Sequence, residues 1–277
     1  MICLLDVISK LVERMAGHLI ADYLERKKGL HEGQYGYRKR RTCIDAVAVL
    51  MYGIQQAWGE KKIVGALFMD VKSAFNNVNK AFLGKRMEAL DLEPDLIRWT
   101  YNFMTGRKVK LVLDGEAGDV SPIDTGIPQG SPVAPILFVT YLSGIFDEVE
   151  RAVPDVQGLS FADDIGWWVK AENQEEVAAK LAEAAAVSLD WAKDNGVAFD
   201  QGKTEGVLFR KKKGAPTATI RVGTSDIPFN SEATRWLGVW LDSQLTLKEH
   251  HAVRLKEARK AMERLCWLTG QMGLSPP

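Results

Sequence analysis

An α+β fold is predicted by three features of this 277-residue sequence. Residues 4–25 place Leu4, Ile8, Leu11, Met15, Leu19 and Tyr23 at helical spacings of three and four. Ile63–Met69 is a continuous apolar run of strand length, the pattern of a strand buried on both faces. Gln174–Asn195 is Ala-rich, carries Val177, Leu181, Ala185 and Leu189 on one stripe, and stops at Gly196, as a helix does. With 46% hydrophobic residues the chain has ample material for a core, as one large domain or two small ones. No internal repeat or low-complexity linker marks a cut between domains.

The remaining elements follow in order. A turn-rich, basic stretch over residues 26–41 holds seven Lys and Arg against the single acid Glu32. By itself such a run is as readily a solvated face as a ligand site. Asp45–Trp58 reads as a helix. Two more helices are expected, one carrying Leu83, Met87 and Leu90, and one after Pro94 carrying Leu96, Trp99 and Phe103. Val109, Leu111 and Leu113 alternate with polar residues up to Asp114-Gly115, a hairpin signal. A Gly/Pro-rich loop over 126–135 leads into the apolar run Ile136–Ile145. Leu159–Val169 is strand-like on both sides of an Asp-Asp pair. Short strands fit Val197–Phe199, Val207–Phe209 and Trp236–Leu241, and a basic amphipathic helix fits Lys248–Leu268 before a Gly-Leu-Ser-Pro-Pro tail.

Composition removes several classes of function. Lys+Arg and Asp+Glu are both 36, so the chain is not a polybasic packaging protein, although a local basic groove remains compatible with the balance. Cys3, Cys43 and Cys266 are scattered and odd in number, which gives neither a zinc spacing nor a disulfide framework, and a reducing compartment is expected. No stretch approaches about 18 consecutive apolar residues, so no membrane span is expected. The apolar start carries Asp6, Lys10 and Glu13, which suits an amphipathic helix better than a signal peptide. The expected location is intracellular, nuclear or cytoplasmic, and not secreted.

Two apolar strands each deliver acid at one end, Phe68-Met-Asp70 and Phe161-Ala-Asp163-Asp164. Adjacent acids in an apolar setting are costly unless cations or hydrogen bonds compensate them. Carboxylates from different strands can converge on Mg²⁺, which also binds substrate phosphates, and two such ions about 4 Å apart stabilise both oxygens of a phosphoryl displacement. Taken alone, Asp163-Asp164 reads more readily as a hairpin turn than as a catalytic pair.

Four segments together carry a resemblance: Phe68-Met-Asp-Val-Lys-Ser-Ala-Phe75, Gly126-Ile-Pro-Gln-Gly-Ser-Pro-Val-Ala-Pro135, Phe161-Ala-Asp-Asp164 and Trp236-Leu-Gly-Val-Trp-Leu241. Their order and spacing resemble the reverse transcriptase domain of non-LTR (LINE-like) retrotransposons over almost the whole chain. The resemblance implies a right-hand polymerase: partial helical fingers over 1–62, a palm (an antiparallel sheet backed by helices) over 63–241, and the start of a thumb helix over 242–277. It implies an RNA template, a DNA primer and dNTPs as partners, and two Mg²⁺, with Mn²⁺ as substitute. Asp70, Asp163 and Asp164 match the family's metal-binding acids, and Val71 would offer its carbonyl to the nucleotide-bound metal.

Phe75, five positions after Asp70, matches the side chain that excludes a ribose 2′-hydroxyl, and is otherwise a core residue. Gln129 and Gly130 match the pair beside the incoming nucleotide and template. Lys203 resembles the lysine that donates a proton to leaving pyrophosphate; a surface lysine is the plainer reading. Trp236-Leu-Gly-Val-Trp240 resembles the hairpin that grips the primer, where aromatics suit stacking, although tryptophans are as often core. Gln34-Tyr-Gly-Tyr-Arg38-Lys-Arg-Arg41 resembles a fingers motif, with Arg38 and Arg41 as phosphate ligands. Arg210-Lys-Lys-Lys213 and Lys256, Arg259 and Lys260 are weaker candidates for backbone contact. Full-length members also carry an endonuclease, a fingers extension and a complete thumb. Against them the sequence reads as truncated at both ends, with an inactive relic that at most binds nucleic acid as the alternative.

Overall fold

The computed structural model describes residues 3–271, apart from 124, 212, 213 and 215. Helices α1 (Val7–Lys27) and α2 (Cys43–Gly59) precede strand β1 (Ile63–Asp70). Helices α3 (Lys80–Ala89) and α4 (Pro94–Phe103) lead to a ribbon of β2 (Arg107–Leu113) and β3 (Glu116–Ile123). Then come α5 (Ala134–Leu142), α6 (Gly144–Ala152), β4 (Gln157–Phe161), β5 (Asp164–Ala171) and the long α7 (Gln174–Asp194). Strands β6 (Glu205–Phe209), β7 (Thr219–Val222), β8 (Ser225–Asn230), β9 (Thr234–Trp236) and β10 (Val239–Leu241) close the body before α8 (Lys248–Gln271). Lys212, Lys213 and the 272–277 tail lie outside the described residues.

Six strands form the main sheet in the order β4-β5-β1-β6-β8-β7. β1 lies antiparallel between β5 and β6, while β6 runs parallel to β8, so the sheet is mixed and not purely antiparallel as expected. Both faces are covered, which accounts for the unbroken apolar run in β1. Leu67 and Met69 join the larger core against the helices α1, α3, α5, α6 and α7. Val64, Ala66 and Phe68 point the other way into a second core with α2 and the β9–β10 hairpin. Alternate residues of β5 and β6 divide likewise: Trp167 and Leu208 face the first core, Trp168, Val207 and Phe209 the second.

Local chemistry sets the element ends. Thr42 and Asp45 form a reciprocal capping box, so α2 begins at Cys43, two residues before the expected start. Asn173 caps α7 by accepting from Glu176 N at 2.8 Å.

Three further expectations need correction, and two strands had no expectation at all. The apolar stripe of α1 faces outward except at Tyr23: Ile8 is 73% and Leu11 60% exposed, and the buried face is Glu13, Ala16, Gly17, Ile20, Tyr23 and Leu24. Val197–Phe199 is not a strand, because only Phe199 bridges, to Val71. Trp236–Leu241 is not one strand but the β9–β10 hairpin, whose turn passes through Leu237 and Gly238 at φ 47° and 81°. Strands β7 and β8 went unread, since Pro228 and three acidic or polar positions obscure their alternation. The expected hairpin at Asp114-Gly115 is present, but its Leu111 and Leu113 are exposed. Among the described residues, no helix is long and apolar enough to cross a membrane.

Gly65 lies where β1 passes under α7. A Cβ there would stand 2.1 Å from Val177 Cγ1 and 3.1 Å from Leu181 Cδ1. Val177 is β-branched and stiff, so α7 would have to lift. Gly65→Ala is expected to destabilise the chain by about 1–3 kcal/mol in urea unfolding, with an unchanged m-value.

Candidate active site

The site is built at one end of the sheet. β1 and β5 pair so that Asp70 faces Asp164 directly, and β4 pairs with β5 through Phe161 and Asp164. The two residues between, Ala162 and Asp163, make the tight turn, with Ala162 at φ 60°. A non-glycine residue there costs about 1 kcal/mol or more and is found where the surroundings enforce it. Here Val71 N donates to Asp163 O at 3.2 Å, tying the turn to the end of β1. On the far side, Gly36 presses against the turn, and a Cβ at this position would stand 2.3 Å from Ala162 N.

Three carboxylates thus share a small space. Burial, then the charges of Asp163 and Asp70, push the Asp164 carboxyl up to about 6. Asp163 is raised from the usual carboxylate range, chiefly by burial and also by Asp70. Lys203 supplies the counter-charge. Its Nζ lies 2.8 Å from Asp70 Oδ2 and 4.0 Å from Asp200 Oδ2, and its hydrogen bond with Asp70 raises its own pKa.

A cavity of about 380 Å³ opens beside them, bounded by Asp70, Val71, Lys72, Ser73, Phe75, Gln129, Asp163, Asp200 and Lys203 among others. Phe75 is half-buried, with its ring 5.0 Å from that of Phe138 and an edge on the cavity. Its carbonyl accepts from Ile127 N at 2.7 Å, which docks the Gly/Pro loop and brings Gln129 to the rim. Gly130, exposed at φ 113°, follows.

The structure therefore brings together Asp70, Val71, Phe75, Gln129, Asp163, Asp164 and Lys203. It does not bring Arg38 there. That side chain is 3% exposed, spans both Glu25 oxygens at 2.7 and 2.8 Å, and donates to His31 O and Gln34 O. Four of its five donors are spent, so Arg38 is a fastener between α1 and the following loop and not the expected phosphate ligand. Arg41 is held by Glu32 at 2.6 Å and lies 5.1 Å from the Tyr35 ring, off the cavity wall. Trp236 is also no stacking platform: it is buried, and packs on Phe68 with ring centres 4.8 Å apart. Trp240 stays half-buried.

Sequence reasoning missed Lys72, Asp200 and Tyr37. Lys72 is exposed on the cavity rim, and its place inside the first acidic motif was the available signal. Asp200 N donates to Asp70 O at 2.9 Å. Tyr37 stands with its ring 6.5 Å from Phe161, and burial followed by the Asp163 charge raises its hydroxyl pKa.

Among the described residues, no three or more Asp, Glu, His or Cys side chains form a ready metal-coordinating group. The donor chemistry nonetheless suits a hard divalent cation: three carboxylates, two of them raised by burial and by one another's charge, beside the Val71 carbonyl.

A mixed sheet with acids at the end of its central strand and in the adjoining hairpin turn is the palm of a nucleotide polymerase. The chain belongs to the reverse transcriptase (RNA-dependent DNA polymerase) family, whose model matches residues 1–241. It is 26% identical over 269 residues to the RNA-directed DNA polymerase from mobile element jockey of Drosophila funebris, and 24% identical over 273 residues to the probable RNA-directed DNA polymerase from transposon X-element of Drosophila melanogaster. Each match covers 96% of this chain but 29% of the relative, so the chain spans under a third of these relatives' length. The apo telomerase of Candida tropicalis shares the fold, with a TM-score of 0.57 at 13% identity over 87% of this chain and 40% of that one. A form of it truncated from the C-terminal domain gives 0.53 at 15% identity, over 79% of this chain and 44% of that one. Members of this family work with divalent metals.

Asp164 provides a pH test. Its folded pKa of about 6 lies above the ordinary carboxylate value, so the folded state binds the extra proton between about pH 4 and 6. Stability is therefore lost as pH rises through that window and stays reduced above it. Asp164→Asn is expected to raise stability by about 1–2 kcal/mol at pH 8 after allowance for partial exposure, and to make no difference near pH 4. Thermal unfolding across pH 4–8 reads both.

Proposed function

We propose that the chain is a non-LTR retrotransposon-type reverse transcriptase domain that extends a DNA primer on an RNA template with dNTPs. One observation carries this reading: Asp70 and Asp164 face each other in register, with Asp163 beside them, at the mouth of a cavity edged by Phe75, Gln129 and Lys203. In this reading residues 1–62 are partial fingers, 63–241 the palm and 242–277 the start of a thumb.

Asp70, Asp163, Asp164 and the Val71 carbonyl would hold two Mg²⁺, or Mn²⁺, which neutralise the reacting phosphates and the attacking 3′-oxygen. The chain's other groups position and select. Lys72 and Lys203, the two cations on the cavity wall, take the triphosphate charge, and Lys203 is placed to give its proton to the departing pyrophosphate. The Phe75 ring, packed 5.0 Å from that of Phe138, would exclude a 2′-hydroxyl. The Gln129 amide hydrogen-bonds the nucleotide. RNA, primer and exposed basic residues of α8 such as Lys256, Arg259 and Lys260 meet through phosphate contacts that weaken with salt.

Primer extension on an RNA template tests the reading. Metal-dependent extension is expected from the wild-type chain, with Asp163→Ala at least about 10³-fold slower while still folded. Extension that survives in Asp163→Ala overturns it. Phe75→Val is expected to admit ribonucleotides, raising rNTP use relative to dNTP by roughly tenfold or more. Unchanged discrimination in steady-state kinetics would remove Phe75 from the gate.

A further inference from the structure

The buried face of α1 contains a carboxylate where an apolar residue would be expected. Glu13 is 5% exposed, on the same face as Ala16, Gly17, Ile20 and Leu24. Burying such a group costs several kcal/mol unless it is partnered. Its partner is Ser131, whose hydroxyl donates to Glu13 Oε2 and whose Oγ in turn accepts from Val133 N at 3.3 Å. The Arg107 guanidinium, stacked 5.0 Å from the Phe103 ring, lies within electrostatic reach of the same carboxylate.

Ser131 belongs to the loop that carries Gln129 to the cavity. Two further contacts join this loop to the N-terminal segment. Cys3 N donates to Gln129 O at 2.7 Å, and α1 lies flush on Val133, whose Cα is 3.4 Å from the position of a Cβ at Gly17. The opposite flank is fixed by Gly126 N to Val78 O and Ile127 N to Phe75 O, at 2.9 and 2.7 Å. The loop is therefore held from both sides. On the palm side the holders are backbone groups, whereas on the N-terminal side the Cys3–Gln129 backbone bond is joined by one buried side chain, Glu13, which reaches across 118 residues of sequence.

We infer that Glu13 is a positioning residue: through Ser131 it holds the 126–133 loop, and with it Gln129, in the pose that receives the incoming nucleotide. The inference rests on the polymerase reading above for what the loop binds, but not for the clamp itself. An apolar side chain at position 13 would fill the same space without the desolvation cost, and so would not hold Ser131.

Three variants separate clamp from filler. Glu13→Gln keeps an oxygen to accept the Ser131 proton, Glu13→Met keeps the bulk without an acceptor, and Ser131→Ala removes the donor. Backbone amide exchange is expected to quicken roughly tenfold or more over residues 126–133 in Glu13→Met and Ser131→Ala, with β1 and β5 unchanged and Glu13→Gln close to wild type. In extension assays the same two variants should raise the KM for dNTP roughly tenfold with a smaller change in kcat, and their combination should add little to either alone. Wild-type loop exchange and KM in Glu13→Met would overturn the inference, as would exchange that quickens throughout the sheet. A loosened loop in a chain whose wild type extends no primer would sustain the clamp and sink the polymerase reading.

Discussion

The pairing of β1 with β5 places Asp70 against Asp164, and much of the surrounding structure is a response to that juxtaposition. Two like charges at facing strand positions repel, and the neighbouring Asp163 adds a third. A sheet end with this much unbalanced acid would splay in the absence of restraint. The restraints are local and specific: the Val71–Asp163 and Asp200–Asp70 backbone bonds, Gly36 pressed on the turn, and the Lys203 ammonium on Asp70. The two cores on either face of β1 provide the rigidity against which these small groups act.

Stability and chemistry are consequently in opposition at one residue. Asp164 weakens the fold at neutral pH because its charge is half desolvated and faces two others. The same desolvation strengthens its attraction for a cation. A neutral substitute would give a more stable fold with less charge to hold a cation, the usual relation between strain and function.

The sequence disclosed the site more fully than the fold. Asp70, Asp163 and Asp164 were legible because acid at the end of an apolar strand is a conflict that chemistry must resolve, and the kind of chemistry came from the four-segment resemblance that includes the Gly/Pro loop and Phe75. The helix α7 was legible from its apolar stripe and its Gly196 stop, and α2 was expected two residues short because its Thr42 cap went unread. Periodicity failed for α1, where hydrophobic spacing gave the helix but not which side faces inward, because Glu13 is satisfied by a hydroxyl 118 residues away. Arg38 failed for a related reason. Nothing in a run of four basic residues says that one of them is buried on Glu25. Trp236 was ambiguous until Phe68 was seen beneath it. In each case a partner distant in sequence decided the role.

The sheet order also governs how the chain is made. β1 sits between β5 and β6, whose pairing residues leave the ribosome on the order of 100 residues after it. At ordinary rates of synthesis, this central apolar strand waits roughly ten seconds with neither edge paired. Helices α3 to α6 emerge meanwhile and can shelter only one of its faces, since the other is closed by α2 and by the β9–β10 hairpin, which arrives later still. The acidic cluster thus cannot form until β5 has emerged. A nascent chain therefore carries Asp70 for roughly ten seconds before the Asp163-Asp164 turn that faces it has been made.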